Sequence, residues 1–252
     1  ACSFIRKLEL SFHCAGHQQW KYFLHAGNSA GYAGGRYADC AAKTGICICS
    51  FCRSGAVCLF LPLYQSLDRN AFRCRRCGYH PNAGCQVYAD ALALLYAISF
   101  TVKMSHLGSK KIEGYFPYVV PPLEGLWWMS NGEPGVDYSR KSEFCWISMI
   151  RLPDFADQSV LDWAKEEVCL KKKMDTSAAR LFCWEEGLCV QQMHIGPYDN
   201  EPATIAQMEA FVRENGYQED FCQNRFHHEI YLSDPRRTAP EKLKTIIRHP
   251  AR

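Results

Sequence analysis

The segment HHEIYL (227–232) carries side chains that could act on a small molecule. Alternate side chains of a strand share a face, so His227, Glu229 and Tyr231 lie together and Ile230 points to the opposite, core side. A carboxylate among aromatic rings loses hydration, and its pKa is expected to rise. Glu229 is therefore a candidate general base or a partner for a ligand cation. A solvent-exposed polar strand face is the alternative interpretation.

A second carboxylate, Glu201, stands at the start of a predicted helix. It could orient a water or a ligand, or it could simply complement the positive end of the helix dipole. Glu124 and Glu185 are weaker candidates of the same kind. His194 and His227 are isolated histidines, which more often satisfy structural hydrogen bonds than act in catalysis.

Aromatic side chains are frequent in the same part of the chain and could form the walls of a binding site. Their rings provide flat apolar surfaces and can hold a cation over the ring face. Trp127 and Trp128 are adjacent, so in a strand they point to opposite faces. Plain core packing is the alternative for each ring taken singly. The candidate ligand-binding residues are Trp127, Trp128, Trp146, Tyr138, Tyr198, Tyr231 and His227, with Tyr115, Phe116 and Tyr118 in the wider aromatic set.

Hydrophobic spacing predicts the elements that position these residues. The predicted helices cover 86–100, 158–170 and 201–215, and the predicted strands cover 114–120, 125–129, 143–150, 187–195 and 226–232. An order of strand, helix, strand and strand occurs twice in weak form. Strands mixed with few helices, without regular βαβ alternation, favour an α+β fold with an antiparallel sheet.

The composition is that of a globular domain, with 48% hydrophobic and 22% charged residues among 252. A net charge of +3 is too small to indicate a nucleic-acid partner. The longest apolar run, 56–61, is too short to span a bilayer, so no membrane partner is expected. The first residues lack the apolar core of a signal peptide, which favours a cytoplasmic location. No phosphate or dinucleotide motif indicates a cofactor, and the oligomeric state stays unknown.

Five long segments follow one another in the order and spacing of a known family. They are SFTVKMSH (99–106), EGYFPYVVPPLEGLWW (113–128), FCWISMIRLPDF (144–155), EEGLCVQQMHIGPYDNEPATIAQMEAF (185–211) and HHEIYLSDPRRTAPEKLKTIIRHP (227–250). Together they resemble the GyrI-like small-molecule-binding family, in its branch of stand-alone proteins. The resemblance implies two pseudo-symmetric βαββ modules over residues 84–252, whose antiparallel sheet forms a concave cleft for a hydrophobic, aromatic or cationic small molecule.

The same resemblance suggests what the chain could do. Some stand-alone relatives hydrolyse the cyclopropane ring of DNA-alkylating cyclopropanoid antibiotics. In that hypothesis Glu229, with Glu201, deprotonates a water that opens the ring, while Tyr115 supports the developing phenolate oxygen. A non-catalytic drug-sequestering or sensing module would need the same pocket, and so the sequence does not separate the two. An inhibitory partner of another protein is a third alternative, as some relatives are.

Residues 1–83 form an atypical Cys-rich segment, and 10 of the 15 cysteines lie before residue 86. The pairs Cys49–Cys52 and Cys74–Cys77 have spacing near that of a two-knuckle zinc site. The segment also lacks periodicity, and nothing in it resembles the family's opening strand. A shifted reading frame before about residue 84, a zinc-binding segment and an unrelated insert all stay open. Without a substitute for the opening strand, the sheet would keep an unpaired edge.

Overall fold

The computed structural model describes residues 8–9, 23–24, 38–41, 46–51, 56–61, 86–184, 186–222 and 224–252. Within this part of the chain the helices are α1 (Gln86–Lys103), α2 (Gln158–Lys172) and α3 (Glu201–Glu214). The strands are β1 (Leu8–Glu9), β2 (Phe23–Leu24), β3 (Ala38–Ala41), β4 (Ile46–Phe51), β5 (Ala56–Leu61), β6 (Leu123–Met129), β7 (Phe144–Arg151), β8 (Arg180–Trp184), β9 (Gly187–Ile195), β10 (His227–Tyr231) and β11 (Lys244–Pro250).

One antiparallel sheet joins nine of these strands in the order β3-β4-β9-β11-β10-β6-β7-β5-β8, and β1 pairs with β2. The sheet contains the same unit twice. The first unit is β5-α1-β6-β7 and the second is β9-α3-β10-β11, and in each the third strand lies between the other two. The units meet where β10 pairs with β6. The predicted α+β fold of two pseudo-symmetric βαββ modules is confirmed.

The opening strand of the first module is β5, which pairs with β7 on one side and β8 on the other. A segment upstream of residue 84 therefore replaces the family's opening strand, and the unpaired edge expected without such a segment does not arise here. The sequence of β5, AVCLFL, is continuously apolar, and such a run shows no strand alternation from which it could be recognised. The cysteine side chains of the zinc hypothesis, including those of Cys52, Cys74 and Cys77, lie outside the described residues.

Helix α1 forms the centre of the main core, where Leu95 and Ile98 are completely buried. It packs against α2 and against Leu123 and Ile150 of the sheet. The stretch Gln86–Leu107 is long and apolar enough in composition to cross a membrane, which corrects the expectation that no segment reaches that length. Burial of one side in this core accounts for the same apolar composition.

The predicted strand over 114–120 is an irregular segment instead. Pro117 lies in its middle and has no N–H to donate to a neighbouring strand, which explains the difference. The rings of Tyr115, Phe116 and Tyr118 gather around Phe155. This segment therefore adds an aromatic cluster beside α1 rather than a strand.

The sheet must be strongly curled. In the chain, only Glu185 and Glu186 separate β8 from β9. Six strand spacings separate the two in the sheet, roughly 29 Å if it were flat. Three peptide units reach at most about 11 Å. The curl brings Trp184 of β8 against His228 of β10, with ring centroids 5.5 Å apart.

Curling gives the sheet two different buried faces. The helix face, which includes Trp127, Glu229 and Ile247, lies under the helices. The inner face, which includes Leu126 and His228, is enclosed by the curl, and both residues are 0% exposed. His227, Glu229 and Tyr231 share the helix face, as predicted. Ile230 on the opposite face is buried, as expected, and the curl buries the helix face of β10 as well.

Candidate functional site

The central strands β10 and β6 lie between the two module helices. Helix α1 packs over β5 and β7, whereas α3 packs over β9. On the helix face, the region between them is occupied by aromatic rings and two carboxylates, which we call the aromatic site. It comprises Tyr88, Trp127, Tyr138, Trp146, Tyr198, Glu201, His227, Glu229 and Tyr231. This arrangement brings together most of the residues predicted to bind a ligand.

Glu229 is completely buried in β10 at the centre of this site. Its Oε1 lies within hydrogen-bond distance, 2.7 Å, of Nε2 of His227. Burial, together with the negative charge of Glu229, raises the pKa of Tyr88, Tyr198 and Tyr231 above the ordinary phenol value. The three hydroxyls therefore stay protonated at neutral pH, so they can donate hydrogen bonds to a carboxylate or to a developing oxyanion.

A glycine opposite Glu229 makes room for the polar edge of the site. Gly125 of β6 is the strand partner of Glu229. A Cβ at this position would lie 2.7 Å from Nε1 of Trp127 and 3.1 Å from Oη of Tyr231. Those two atoms are hydrogen-bonded to each other at 3.1 Å, with the indole donating. The absent side chain therefore allows this pair to lie flat against β6 beside the carboxylate.

Glu201 enters the site from the first turn of α3, and it is 0% exposed. Its Oε2 accepts a hydrogen bond from Oη of Tyr138 at 2.8 Å. The Tyr138 ring stands nearly perpendicular to His227, at 6.4 Å between centroids. Both interpretations of Glu201 are therefore compatible with its position, since it lies at a helix N-terminus and in the aromatic site.

The remaining rings form the walls. Tyr88 of α1 makes an edge contact with Trp146 at 4.9 Å between centroids and a tilted contact with Trp127 at 6.2 Å. On the α3 side, Tyr198 makes an edge contact with Tyr231 at 6.0 Å. These edge and tilted geometries are those that aromatic rings prefer. The rings thus pack against one another around Glu229.

Two predicted site residues lie elsewhere. Trp128 points to the inner face and packs on Phe226, with centroids 5.0 Å apart. The opposite orientations of Trp127 and Trp128 are as predicted, but Trp128 is removed from the candidate site because the alternation of β6 directs it away from Glu229.

Tyr115 is also distant from Glu229. Its hydroxyl donates to the carbonyl of Lys103 at 2.7 Å and lies 2.7 Å from Nδ1 of His106. Lys103 ends α1, about 22 Å along the helix axis from Tyr88. This position does not support the expected donor role of Tyr115, whereas Tyr88 and Tyr231 lie close enough to Glu229 to interact with it.

His194 has a structural environment. Its Nδ1 accepts from Oγ1 of Thr204 at 2.8 Å, and its Nε2 donates to the carbonyl of Pro197 at 3.0 Å. These bonds satisfy both ring nitrogens of a neutral imidazole. They tie β9 to the beginning of α3 and so help to position Glu201.

A separate ionic network occupies the inner face. His228 contacts Oε2 of Glu124 through Nε2 at 2.9 Å and Oε1 of Glu186 through Nδ1 at 2.7 Å. Arg151 pairs with Glu124 at 2.8 Å, and Arg248 pairs with Glu186 at 2.9 Å. Glu124 is thus part of this network and lies on the other side of the sheet from Glu229. Glu185 lies outside the described residues.

Electrostatics favour the charged forms throughout this network. Burial alone would raise the pKa of Glu186, but the charges of His228 and Arg248 lower it to about 2. The pKa of Glu124 is likewise lowered, because its hydrogen bond to His228 and the charge of Arg151 outweigh burial. Burial alone would lower the pKa of His228, yet the charge of Glu186 and the hydrogen bonds to both carboxylates raise it. The two carboxylates are therefore ionised at neutral pH, and the protonated form of His228 is favoured.

Sequence reasoning missed two residues that contact the site. Tyr88 lies among apolar residues of a predicted helix, where it looks like an ordinary core residue. His249 contacts His227 across the β10–β11 pair, with Nε2 2.8 Å from Nδ1 of His227. The alternation of Ile247 and His249 over 244–250 could have indicated that strand and this histidine.

Comparison with known proteins gives the family. A model of the GyrI-like small-molecule-binding domain matches residues 78–252. The chain belongs to this family. The match begins after β5, so the strand that opens the first module lies before it. A GyrI-like protein binds a small molecule, and the aromatic site lies between the two module helices of this domain.

Solved structures of relatives have the same fold. A crystal structure of a hydrolase from Listeria innocua is 39% identical, with a TM-score of 0.64, covering 78% of this chain and 87% of that one. A crystal structure of an uncharacterized conserved protein from Listeria innocua is 40% identical, with a TM-score of 0.66, covering 79% and 88%. No curated protein matches the chain.

Proposed function

We propose that this protein is a hydrolase of hydrophobic aromatic small molecules, and that Glu229 is its general base. The observation that carries the proposal is a completely buried carboxylate, held by His227 and surrounded by protonated phenols and indole rings. A general base must be positioned within hydrogen-bond reach of a water that faces the ligand. Similarity to a hydrolase at 39% identity supports the same class of activity.

The substrate class that we propose is the cyclopropanoid DNA alkylator, in which a strained cyclopropane is conjugated to a dienone. The flat ring system stacks against Trp127 and Trp146. Glu229 accepts a proton from water while the water oxygen bonds to a ring carbon. The cyclopropane C–C bond breaks, and its electron pair passes to the conjugated carbonyl oxygen, which becomes a phenolate.

Proton transfer completes the reaction. The hydroxyl of Tyr231 donates a hydrogen bond to the phenolate oxygen as it forms, which stabilises the developing charge. The proton held by Glu229 then moves to that oxygen, so the product is the substrate plus one water. Glu229 is returned to its carboxylate form, and no further reactant is needed.

Binding without chemistry is the second candidate, and the pair of buried carboxylates favours it. Glu201 and Glu229 both lie among tyrosine rings, a combination suited to an aromatic cation. A protein of this kind would sequester or sense a cationic drug. It would need stacking and charge, but no water aligned with an electrophile.

Incubation of the purified protein with a cyclopropanoid alkylator separates these functions. Quenching of tryptophan fluorescence reports binding, and mass spectrometry reports the ring-opened product. Binding with a product heavier by one water supports the hydrolase. Binding with no product contradicts the hydrolase and leaves the sequestering or sensing function. If neither is observed, both proposals are wrong.

A further inference from the structure

A line of hydrogen bonds leads from Glu229 to the protein surface. Nε2 of His227 lies 2.7 Å from Oε1 of Glu229, and its Nδ1 lies 2.8 Å from Nε2 of His249. Nδ1 of His249 lies 3.2 Å from Oε1 of Glu219. The first three side chains are at most 3% exposed, whereas the side chain of Glu219 is 36% exposed. A buried carboxyl is thereby connected to solvent at a point outside the aromatic site.

This line of hydrogen bonds can hold either two or three protons. Three hydrogen bonds in a row need three protons, but two carboxylates and two neutral imidazoles supply two. In the two-proton form both imidazoles donate toward Glu229, which is ionised, and Nδ1 of His249 has a lone pair toward Glu219. In the three-proton form Glu229 is protonated and donates to His227. His227 then donates to His249, and His249 donates to Glu219.

One concerted shift interconverts the two forms. Protonated Glu229 passes its proton to Nε2 of His227, whose Nδ1 proton passes to Nε2 of His249. The Nδ1 proton of His249 then leaves through Glu219. Burial, the largest effect, lowers the pKa of His249 despite its hydrogen bond to Glu219. The imidazole is therefore neutral at pH 7, as this shift requires.

We propose that His227, His249 and Glu219 form a proton relay through which Glu229 exchanges its proton with solvent while a ligand occupies the aromatic site. The relay decides whether Glu229 is a base or an acid, and it rests on the proposed hydrolase function. His227, His249 and Glu219 are positioning residues in this scheme, since they act through Glu229.

Other ionisable groups also face the relay. Tyr88 of α1, Tyr198 at the start of α3 and Tyr231 of β10 face Glu229. Glu201 of α3 adds a second negative charge near Tyr198 and Tyr231. Tyr138 faces His227, and Glu209 of α3 adds a negative charge near His249. These groups set the overall proton affinity of the site. They are unchanged in every variant described below, so differences between those variants report on the His227–His249–Glu219 line alone.

The first test is the pH profile of kcat in Glu219→Gln. The substitution removes the charge that accepts from His249 and offers an amide donor to Nδ1, and both changes favour the two-proton form. The acid limb of kcat should therefore move to lower pH, by about one pH unit. Glu214→Gln, which removes an exposed carboxylate of α3, should leave the limb in place. An unmoved limb in Glu219→Gln overturns the relay.

Repeating the Glu219→Gln comparison in a second variant, His249→Phe, separates the relay from a long-range effect of the Glu219 charge. His249→Phe keeps a ring against Phe221 and interrupts the line. In that background Glu219→Gln should no longer move the acid limb. A shift that persists would mean that Glu219 acts simply as a distant charge, and it would contradict the relay.

The last test does not require turnover. Nitrogen NMR shifts of labelled histidine report which ring nitrogen of His227 and of His249 carries the proton. The two should titrate as a coupled pair, and Glu219→Gln should change the titration of both. If His227 does not respond, the relay is wrong even where the protein is an active hydrolase. Coupled titration in a protein without turnover supports the relay and rejects the hydrolase proposal.

Discussion

Substituting His228 with phenylalanine tests the ionic network of the inner face. Phenylalanine keeps an apolar ring among Leu126 and Trp184 but removes both contacts of the imidazole, to Glu124 at 2.9 Å and to Glu186 at 2.7 Å. The two carboxylates stay buried, because the curl of the sheet encloses them. The substitution is therefore expected to destabilise the fold without touching the aromatic site.

The magnitude follows from what each carboxylate retains. Breaking a buried ion pair costs about 3–5 kcal/mol when a charge is left without compensation. Here Glu124 keeps Arg151 and Glu186 keeps Arg248. We therefore expect a loss near the lower bound, about 3 kcal/mol in the free energy of unfolding. For a chain of this size that corresponds to a fall in Tm of about 6–12 °C.

The difference between wild type and variant should depend on pH. The lowered pKa values of Glu124 and Glu186 mean that their stabilisation is present above the ordinary 4.5 and is lost as the pH falls. The raised pKa of His228 means that its stabilisation is present below the ordinary 6.5 and is lost as the pH rises through the raised value. The difference should thus be largest between about pH 4.5 and 6.5.

Urea unfolding of both proteins across this pH range is the assay. His106→Phe is the control, because His106 is exposed and its loss should change stability by less than about 1 kcal/mol. A constant difference between wild type and His228→Phe at all pH values would refute the reasoning, since it would mean that the network is not ionised. A loss as small as that of the control would refute it as well.

Three substitutions test the geometry of the aromatic site. Gly125→Ala places a Cβ 2.7 Å from Nε1 of Trp127. It should weaken binding of a cationic aromatic dye at least tenfold, measured by calorimetry, and destabilise the fold by about 1–3 kcal/mol, measured by urea unfolding. The control Gly108→Ala should change neither quantity. Trp127→Phe should weaken dye binding and Trp128→Phe should not, because they point to opposite faces; equal effects would contradict the assignment. Tyr231→Phe should lower kcat about tenfold or more with little change in ligand affinity, and an unchanged kcat would remove its donor role.

Local patterns were sufficient for the elements around the site. Periodicity predicted α1 and α3, and β9 has the predicted bounds, because amphipathic spacing reports which residues face a core. Alternation also predicted that His227, Glu229 and Tyr231 share a face. These are properties of single elements, and each can be inferred from a few neighbouring residues.

Non-local features could not be predicted in this way. The pairing of β10 with β11 joins His227 to His249, and no local pattern specifies that partner. The curl of the sheet buries His228 with Glu186 although 42 positions separate them in the chain. The hydrolase hypothesis makes Tyr115 a hydrogen-bond donor in the site, yet the packing of its segment beside the end of α1 directs its hydroxyl to the carbonyl of Lys103.

The role of Glu229 is tested most directly by comparing the turnover of a cyclopropanoid alkylator by wild type and by Glu229→Gln. The amide keeps the shape and can still accept from His227, but it cannot take a proton from water. We expect kcat to fall by roughly 10²–10⁴-fold, with ligand affinity changed much less, while Glu214→Gln retains full activity. Formation of the water adduct at the wild-type rate by Glu229→Gln would contradict the account.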